Sequence, residues 1–361
     1  MFLESIASAF PPHVFTQKDC LEIIKSSRRV AELKPRSQVL LSRILEGDSG
    51  IEKRRFAAPD PDRLFDTSAQ DLNQGFEVEA PRLAARALAT ALKNADVKPG
   101  EVDALFVCTC TGYLCPGVSS HVAEIMELRS NIFLNDLVGL GCGAAIPTIR
   151  AAHGFLKANP GSRVATVAVE VCSSAFYMDD DPGVLISLCL FGDGAAAAVW
   201  SDNPGDGKYE AGGFQTLHWP GEREKIRFVN ADGKLKNKLH RSVPEVAGRA
   251  VKQLFDQRTA DPDQVIAHTG GRDVVESMEG QLKNTSLRET RNILRQYGNC
   301  SSPSVLLALE DRMRSDGIDT RLWLTSFGAG FAAHSFELSR WWNKKEPTAG
   351  ASDKLNGLRS W

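Results

Sequence analysis

Three side chains far apart in this 361-residue chain could together do acyl chemistry: the thiol of Cys142, the imidazole of His268 and the carboxamide of Asn299. A thiol attacks a carbonyl carbon and holds the acyl group as a thioester. An imidazole and an amide can donate hydrogen bonds to the oxygen on which negative charge develops. Cys142 lies in Gly139-Leu-Gly-Cys142-Gly-Ala-Ala, after an apolar strand-like segment and before small and aliphatic residues at helical spacing. The unpaired first-turn amides of such a helix favour a thiolate, and Gly141 and Gly143 leave room for a carbonyl to approach. His268 ends an apolar run and precedes Thr269-Gly-Gly271; Asn299 sits in Gly298-Asn-Cys-Ser-Ser302. Each has a plainer reading by itself: a buried cysteine in a tight turn, a structural histidine, an N-cap or turn asparagine. Their weight comes from occurring together, at equivalent places in two similar halves of the chain.

Two chemistries suit the set. In a cysteine hydrolase, His deprotonates the thiol, Asn orients the His, and water completes the reaction. In a condensing enzyme, the thiol takes an acyl group from a thioester. His and Asn then stabilise the enolate left when a malonyl unit loses its carboxylate, and fixed neutral donors matter more than a strong base.

The elements that must position these residues are legible from periodicity. Residues 2–7 read as a strand, 17–26 and 37–46 as helices, and 81–92 as a long amphipathic helix beginning near Pro81. Residues 104–110 and 163–171 read as buried strands, with a helix over 119–127 between them. Lys53-Arg54-Arg55 reads as a solvated surface turn rather than a phosphate grip. Gly192-Asp-Gly194 lacks the spacing of a phosphate loop and reads as a bend between two sheet segments. Residues 201–207 form a linker of turn-forming residues, 225–241 a polar surface excursion, and 243–255 a helix. The polar tail beyond Lys344 reads as loose.

The second half repeats the order of the first. Pro262-Asp-Gln-Val265-Ile-Ala-His268 echoes Pro99-Gly-Glu-Val102-Asp-Ala-Leu. The small-residue turn at Gly298 echoes that at Cys142, and the run from Arg321 echoes that from Arg163. A duplicated α/β unit follows, with one half over 1–201, the other over 208–343 and a flexible 344–361. Ligand sites in such sheets gather at strand carboxyl ends and helix amino ends, where these three residues fall.

Composition sets the boundaries. Forty-three Lys+Arg against 45 Asp+Glu give a net charge of −2, which argues against nucleic acid as a main partner. No apolar run spans a bilayer, and the amino terminus lacks a basic signal-peptide region. Eight scattered cysteines without a disulfide framework point to a reducing cytoplasm. Cys108, Cys110 and Cys115 form no C-x-x-C pair and have no nearby His, so core packing is preferred to a metal site.

Motifs spread over nearly the whole chain add a further indication: Glu79-Ala-Pro-Arg-Leu83, Cys108-Thr-Cys-Thr-Gly112, Cys115-Pro-Gly117, Gly141-Cys-Gly143, Leu190-Phe-Gly-Asp-Gly-Ala-Ala-Ala-Ala198, His268-Thr-Gly-Gly271 and Gly298-Asn-Cys-Ser-Ser302. In these the chain resembles the type III polyketide synthases of bacterial type, the chalcone and stilbene synthase-like branch of the thiolase superfamily. The resemblance implies a five-layered αβαβα thiolase-like fold, a homodimer, and decarboxylative condensation of malonyl-CoA onto an acyl-CoA starter. CoA thioesters serve as substrates, with no separate cofactor. It implies that Cys142 carries the growing chain, that His268 keeps it as thiolate and helps form the oxyanion hole, and that Asn299 is the second donor. Phe191, which alone would read as core, matches the gatekeeper phenylalanine.

The chain departs from the family pattern in places. His-Thr-Gly-Gly replaces His-Pro-Gly-Gly, and Ser326-Phe-Gly-Ala-Gly330 replaces Gly-Phe-Gly-Pro-Gly. Cys110, Cys172 and Ala175 stand where plant members place cavity threonines, with Thr111 beside them, and Cys115 stands where a methionine reaches toward the partner subunit. Ala175 implies a wider cavity suited to a long or bulky starter. A β-ketoacyl-carrier-protein synthase III-like enzyme is the nearest alternative, although His-Gln-Ala-Asn is usual there. A hydrolase elbow needs glycines where Leu140 and Ala144 stand. A catalytically silent scaffold is disfavoured because all three reactive residues are present.

Overall fold

A computed structural model describes residues 1–57, 65, 68–205, 208–283, 285–315 and 319–342. The 344–361 tail and part of the 201–207 linker lie outside the described residues. In chain order the elements begin with β1 (Phe2–Ala9), β2 (His13–Thr16), α1 (Gln17–Ser26), α2 (Arg28–Ala31), α3 (Pro35–Glu46), β3 (Lys53–Phe56), α4 (Ala69–Asn94), β4 (Ala104–Thr109), α5 (Val118–Ile125) and β5 (Phe133–Val138). There follow α6 (Ala145–Ala158), β6 (Arg163–Glu170), α7 (Pro182–Leu190), β7 (Gly194–Ser201), β8 (Tyr209–His218), β9 (Ile226–Ala231) and β10 (Lys234–Leu239). The chain continues through α8 (Val243–Asp256), β11 (Gln264–Ala267), α9 (Arg272–Gln281), α10 (Arg288–Tyr297), α11 (Ser304–Met313), β12 (Arg321–Gly328) and β13 (Ala332–Arg340).

Nine strands hydrogen-bond in the order β11-β12-β13-β8-β1-β7-β6-β4-β5. Apart from β5 at one edge, the order is symmetric about the β8–β1 contact, where only Phe2 with Glu210 and Leu3 with Tyr209 pair. On one side β4 lies parallel to β6, then β7 and β1 run antiparallel in turn. On the other, β11 lies parallel to β12, followed by antiparallel β13 and β8.

Period-two alternation divides the strand side chains between layers. Leu105 and Val107 of β4 pack against Phe76, Leu88 and Leu92 of α4. Ala104 and Phe106 face the opposite way, onto a core shared by Ile146 and Ile149 of α6, Leu306 and Leu307 of α11, and Leu322 and Leu324 of β12. Trp323, between those two leucines, faces Val251 and Leu254 of α8 and Met278 of α9. Helix, sheet, paired central helices, sheet and helix therefore alternate in the five layers expected.

Some elements differ from the sequence reading, each for a local reason. α4 begins twelve residues before Pro81, because Ser68 and Asp71 form a reciprocal capping box that starts the helix early. The segment before Gly192-Asp-Gly194 is helix α7, capped by Asp181 with Pro182 in its first turn, and not a sheet segment. Lys53-Arg54-Arg55 is strand β3 paired with β2, and Arg54 is 1% exposed. Residues 225–241 are no loose excursion: β9 and β10 form a hairpin that packs on α7.

Candidate active site

Cys142 sits in a single 3-10 turn, Gly141–Gly143, immediately ahead of α6. The turn lies backbone against backbone on the end of β12. A Cβ on Gly143 would stand 3.1 Å from the carbonyl carbon of Phe327, so only glycine fits without a shift. Ser326 Oγ donates to the Gly143 carbonyl at 3.1 Å and fixes the same junction.

His268 follows β11, and its main-chain amide extends the pairing by donating to Thr325 O at 2.9 Å. The edge of its ring meets Phe327, with centroids 5.2 Å apart. Asn299 enters by a different route, forming an isolated parallel bridge with Phe191. Its amide donates to Leu190 O at 2.9 Å, and Gly192 donates to Asn299 O at 3.1 Å.

The three residues meet through Ser301, whose part the sequence reading missed. Ser301 Oγ donates to Cys142 Sγ at 3.2 Å, and its amide donates to Asn299 Oδ1 at 2.8 Å. Its backbone is also in hydrogen-bonding contact with the His268 ring. Ser301 adopts a left-handed φ of +56°, unusual for a residue with a side chain. Asn299 Nδ2 donates to Gly270 O at 2.7 Å, which fixes the plane of its amide.

Behind this hub lies Glu170, fully buried at the end of β6. Its Oε2 accepts from the amides of Cys110 and Thr111, both at 3.0 Å, and from the Thr111 hydroxyl at 2.8 Å; its Oε1 accepts from Ser302. One carboxylate thus ties the Cys110–Thr111 loop to the Ser301–Ser302 loop.

Burial pushes both ionisable groups of the hub toward their uncharged forms. It pushes the Cys142 thiol up to about 12; the Glu170 carboxylate adds to the rise, while the Ser301 hydroxyl and the residue's own amide oppose it. Burial likewise lowers His268 to about 3, the contact with Ser301 opposing it. In this structure burial therefore works against the thiolate that the amino end of α6 favours. His268 Nδ1 is buried without a hydrogen-bond partner among the described residues.

A narrow cavity reaches this hub. Ser301 and Thr111 line it together with Cys172, Ala175, Phe176, Val184, Ser187, Phe191, Phe228, Leu235 and Asn237. Of the residues singled out from sequence, Phe191, Thr111, Cys172 and Ala175 line this cavity. Cys110 does not line the wall; it is half-buried at the hub, its sulfur 3.2 Å from Ser301 Oγ. Cys115 is exposed and stands apart from the cavity. Ala175 does not open a wide space, since Phe176, Phe191 and Phe228 occupy the surrounding wall. All eight cysteines are unpaired, and among the described residues no cluster is placed to hold a metal ion.

Arg54, read from sequence as surface, instead supports this wall. Its guanidinium donates to Leu188 O at 2.7 Å, Phe191 O at 2.8 Å and Gln17 Oε1 at 3.1 Å. Asp193 of the Gly-Asp-Gly turn accepts from the amide and hydroxyl of Ser173 and from the Ala57 amide. It is a buried tie between segments. Alternation in Lys53-Arg-Arg-Phe56 was the signal that could have revealed Arg54.

Fold and site together define a condensing enzyme of thiolase type. Residues 8–260 match the FAE1/type III polyketide synthase-like protein family, and residues 222–334 match the chalcone and stilbene synthase C-terminal domain. The chain is 31% identical over 337 residues to 1,3,6,8-tetrahydroxynaphthalene synthase of Streptomyces coelicolor, covering 90% of this chain and 88% of that one. It is 28% identical over 291 residues to 3,5-dihydroxyphenylacetyl-CoA synthase of Streptomyces toyocaensis, covering 75% and 74%. The crystal structure of the Streptomyces coelicolor naphthalene synthase superposes with a TM-score of 0.83 at 26% identity, covering 95% of this chain and 99% of that one. The chain belongs to the type III polyketide synthase family, whose members are acyltransferases.

Proposed function

We propose that this enzyme extends a CoA-linked acyl starter with malonyl-CoA, iteratively, and closes the product to a pyrone, resorcinol or related phenol. Cys142 takes the acyl group, and the starter's CoA thiolate leaves with the proton of the thiol. His268 and Asn299 face the thioester oxygen of malonyl-CoA, where enolate charge grows as carbon dioxide departs. The enolate then attacks the Cys142 thioester, and the chain grows by two carbons. Buried neutral donors suit this step because charge forms only in the transition state.

The observation that carries the reading is that Ser301 contacts Cys142, Asn299 and His268 at one end of a cavity. Purified enzyme given malonyl-CoA and a panel of acyl-CoAs should release polyketides detectable by mass spectrometry, and Cys142→Ala should abolish them. Malonyl carried on a carrier protein should not substitute for malonyl-CoA; preference for it would favour the ketoacyl synthase alternative.

A homodimer belongs to the same proposal. Strand β5 is a sheet edge, and Phe133 and Val138 on it, with Ile125 of α5 and Tyr113 nearby in sequence, are exposed apolar side chains. Sedimentation at micromolar concentration should give the mass of two chains, and Phe133→Glu with Val138→Glu should give one. The eight unpaired cysteines support a reducing, cytoplasmic setting. Among the described residues no helix is long and apolar enough to cross a membrane.

A further inference from the structure

Two departures from the family pattern fall in one motif: Ser326-Phe-Gly-Ala-Gly330 stands where Gly-Phe-Gly-Pro-Gly is usual. The structure puts both changes against the nucleophile. Ser326 brings a hydroxyl that glycine lacks, and this joins the end of β12 to the Gly143 carbonyl. Ala329 brings a main-chain N–H, which proline cannot have.

Alternation along β12 sets the direction of that N–H. Successive residues of a strand turn their N–H and C=O groups to opposite edges. Thr325 O accepts from the His268 amide, so Thr325 faces β11, and Phe327 faces the same edge. The Ala329 N–H continues this alternation, because it shares a peptide plane with Gly328, the last residue of the strand. β11 ends at Ala267, opposite Thr325. The Ala329 amide therefore meets no strand. It points past the end of β11, on the side of His268, and donates to no acceptor among the described residues.

The same amide lies beside the turn that carries Cys142. A Cβ on Gly141 would stand 3.0 Å from Ala329 N, and one on Gly328 would stand 3.0 Å from Cys142 N. Gly141 has a left-handed φ of +59°, so glycine serves the turn and leaves the Ala329 amide uncovered. The Cys142 amide already contacts its own sulfur. Two main-chain donors are thus presented by two interlocked turns at one thiol.

An acyl group on Cys142 carries an oxygen that becomes an anion twice. In acylation the Sγ–C bond forms, the C–S bond to CoA breaks, and the thiol proton leaves with the CoA thiolate. In condensation the enolate carbon bonds to the acyl carbon, the C–Sγ bond breaks, and Cys142 leaves as thiolate. His268 and Asn299 are occupied with a different oxygen, that of the malonyl thioester.

We propose that the N–H groups of Ala329 and Cys142 form a second oxyanion site, which holds the oxygen of the acyl group on Cys142, and that alanine in place of proline supplies one of its two donors. This rests on the condensing reading given above. The test is Ala329→Pro, which deletes the N–H and little else: the φ of Ala329 is not left-handed, and Gly328 before it is extended, as proline requires. Mixed with acetyl-CoA, the variant should release its first equivalent of CoA about 100-fold more slowly than the unaltered enzyme, the usual loss for one oxyanion donor. Ala329→Gly, which keeps the N–H, should recover most of that rate. Decarboxylation of malonyl-CoA to acetyl-CoA in a Cys142→Ala background forms no acyl-cysteine, so adding Ala329→Pro there should slow it far less. Equal losses in the two reactions mark a structural defect and overturn the role of Ala329, as does acylation at an undiminished rate. An unaltered enzyme that neither acylates Cys142 nor decarboxylates malonyl-CoA overturns the condensing reading itself. Should Ala329→Pro be insoluble, infrared difference spectra of the unaltered acyl-enzyme, made with isotopically labelled acetyl-CoA, should place the thioester carbonyl at a lower frequency than in acetyl-CoA in water. An equal or higher frequency is equally fatal.

Discussion

Arg54 Nη1 donates to the carbonyl oxygen of Phe191 at 2.8 Å, so a cation within the protein holds the phenylalanine that lines the cavity. The same guanidinium reaches Leu188 O and Gln17 Oε1, and its carbon lies 5.0 Å from the centre of the Phe56 ring. Because Phe191 also bridges to Asn299, Arg54 braces the cavity wall and the loop of the second proposed donor together.

Replacing Arg54 with methionine keeps much of the volume and leaves three acceptors unpaired. The expected cost is about 3 kcal/mol, read by urea unfolding, with a raised KM for the starter in whatever folded enzyme remains. Arg54→Lys should recover less than half of the loss, since one ammonium cannot reproduce a planar fork reaching three acceptors.

Ser301 combines a strained backbone with a useful hydroxyl, and two variants separate them. At φ +56°, Ser301→Gly should fold at least as stably as the unaltered enzyme, whereas Ser301→Ala should lose about 1 kcal/mol or less. Both remove the hydrogen bond that lowers the Cys142 thiol against burial. The thiol should rise further, its thiolate fraction at a given alkaline pH should fall, and iodoacetamide should modify the Cys142 peptide several-fold more slowly. Equal alkylation rates in all three proteins would remove Ser301 from the chemistry of the thiol.

These two residues mark where the sequence stopped being informative. Cys142, His268 and Asn299 were legible because glycines and serines at strand ends signal places where a backbone must be approached closely. The duplicated α/β unit followed from the buried strands and the repeated order of elements, and the five layers from the family resemblance. Ser301 lay within a recognised motif, but its role depends on a left-handed backbone and on partners 131 and 159 residues away in the chain. Arg54 was misread because a run of three cations suggests solvent. The strand instead turns alternate residues inward, and carbonyl oxygens at the end of α7 receive the charge. The start of α4 was hidden by Pro81, although the Ser68 and Asp71 capping signal was present. The opposing push of burial on the Cys142 thiol could not be read from the sequence, because depth of burial is a tertiary quantity.

Stability should respond to pH with opposite signs at two buried groups. His268 titrates at about 3 when folded against 6.5 as the reference, so between those values the unfolded chain binds the extra proton and stability rises with pH. Burial raises Asp193 from 3.8 to about 6, its hydrogen bonds from Ser173 and Ala57 opposing the shift, so between those values the folded chain binds the extra proton and stability falls with pH. Unfolding free energies measured across pH 4 to 6 should therefore change less steeply upward in His268→Gln and more steeply upward in Asp193→Asn. The slope change is bounded by one proton, about 1.4 kcal/mol per pH unit.

The hairpin over the cavity is held by charge at its rim. Lys236 lies 3.0 Å from Asp179 and 3.6 Å from Asp181, and Lys238 pairs with Asp181, while Phe228, Leu235 and Asn237 of the same hairpin line the wall. Asp181 also caps α7 by accepting from the Gly183 amide at 3.0 Å. Asp181→Asn separates these roles, since asparagine caps a helix as well as aspartate does but leaves the two lysines without that charge. Partly exposed pairs contribute about 1 kcal/mol or less, so global stability should barely move. The KM for starter should nevertheless rise, because the hairpin's inner face is positioned through those lysines. In the unaltered enzyme that KM should also rise with added salt as the Debye length shrinks from about 10 Å toward 3 Å, whereas in Asp181→Asn it should be high at every salt concentration. Parallel salt curves for the two proteins would show that apolar packing on α7 alone holds the hairpin closed.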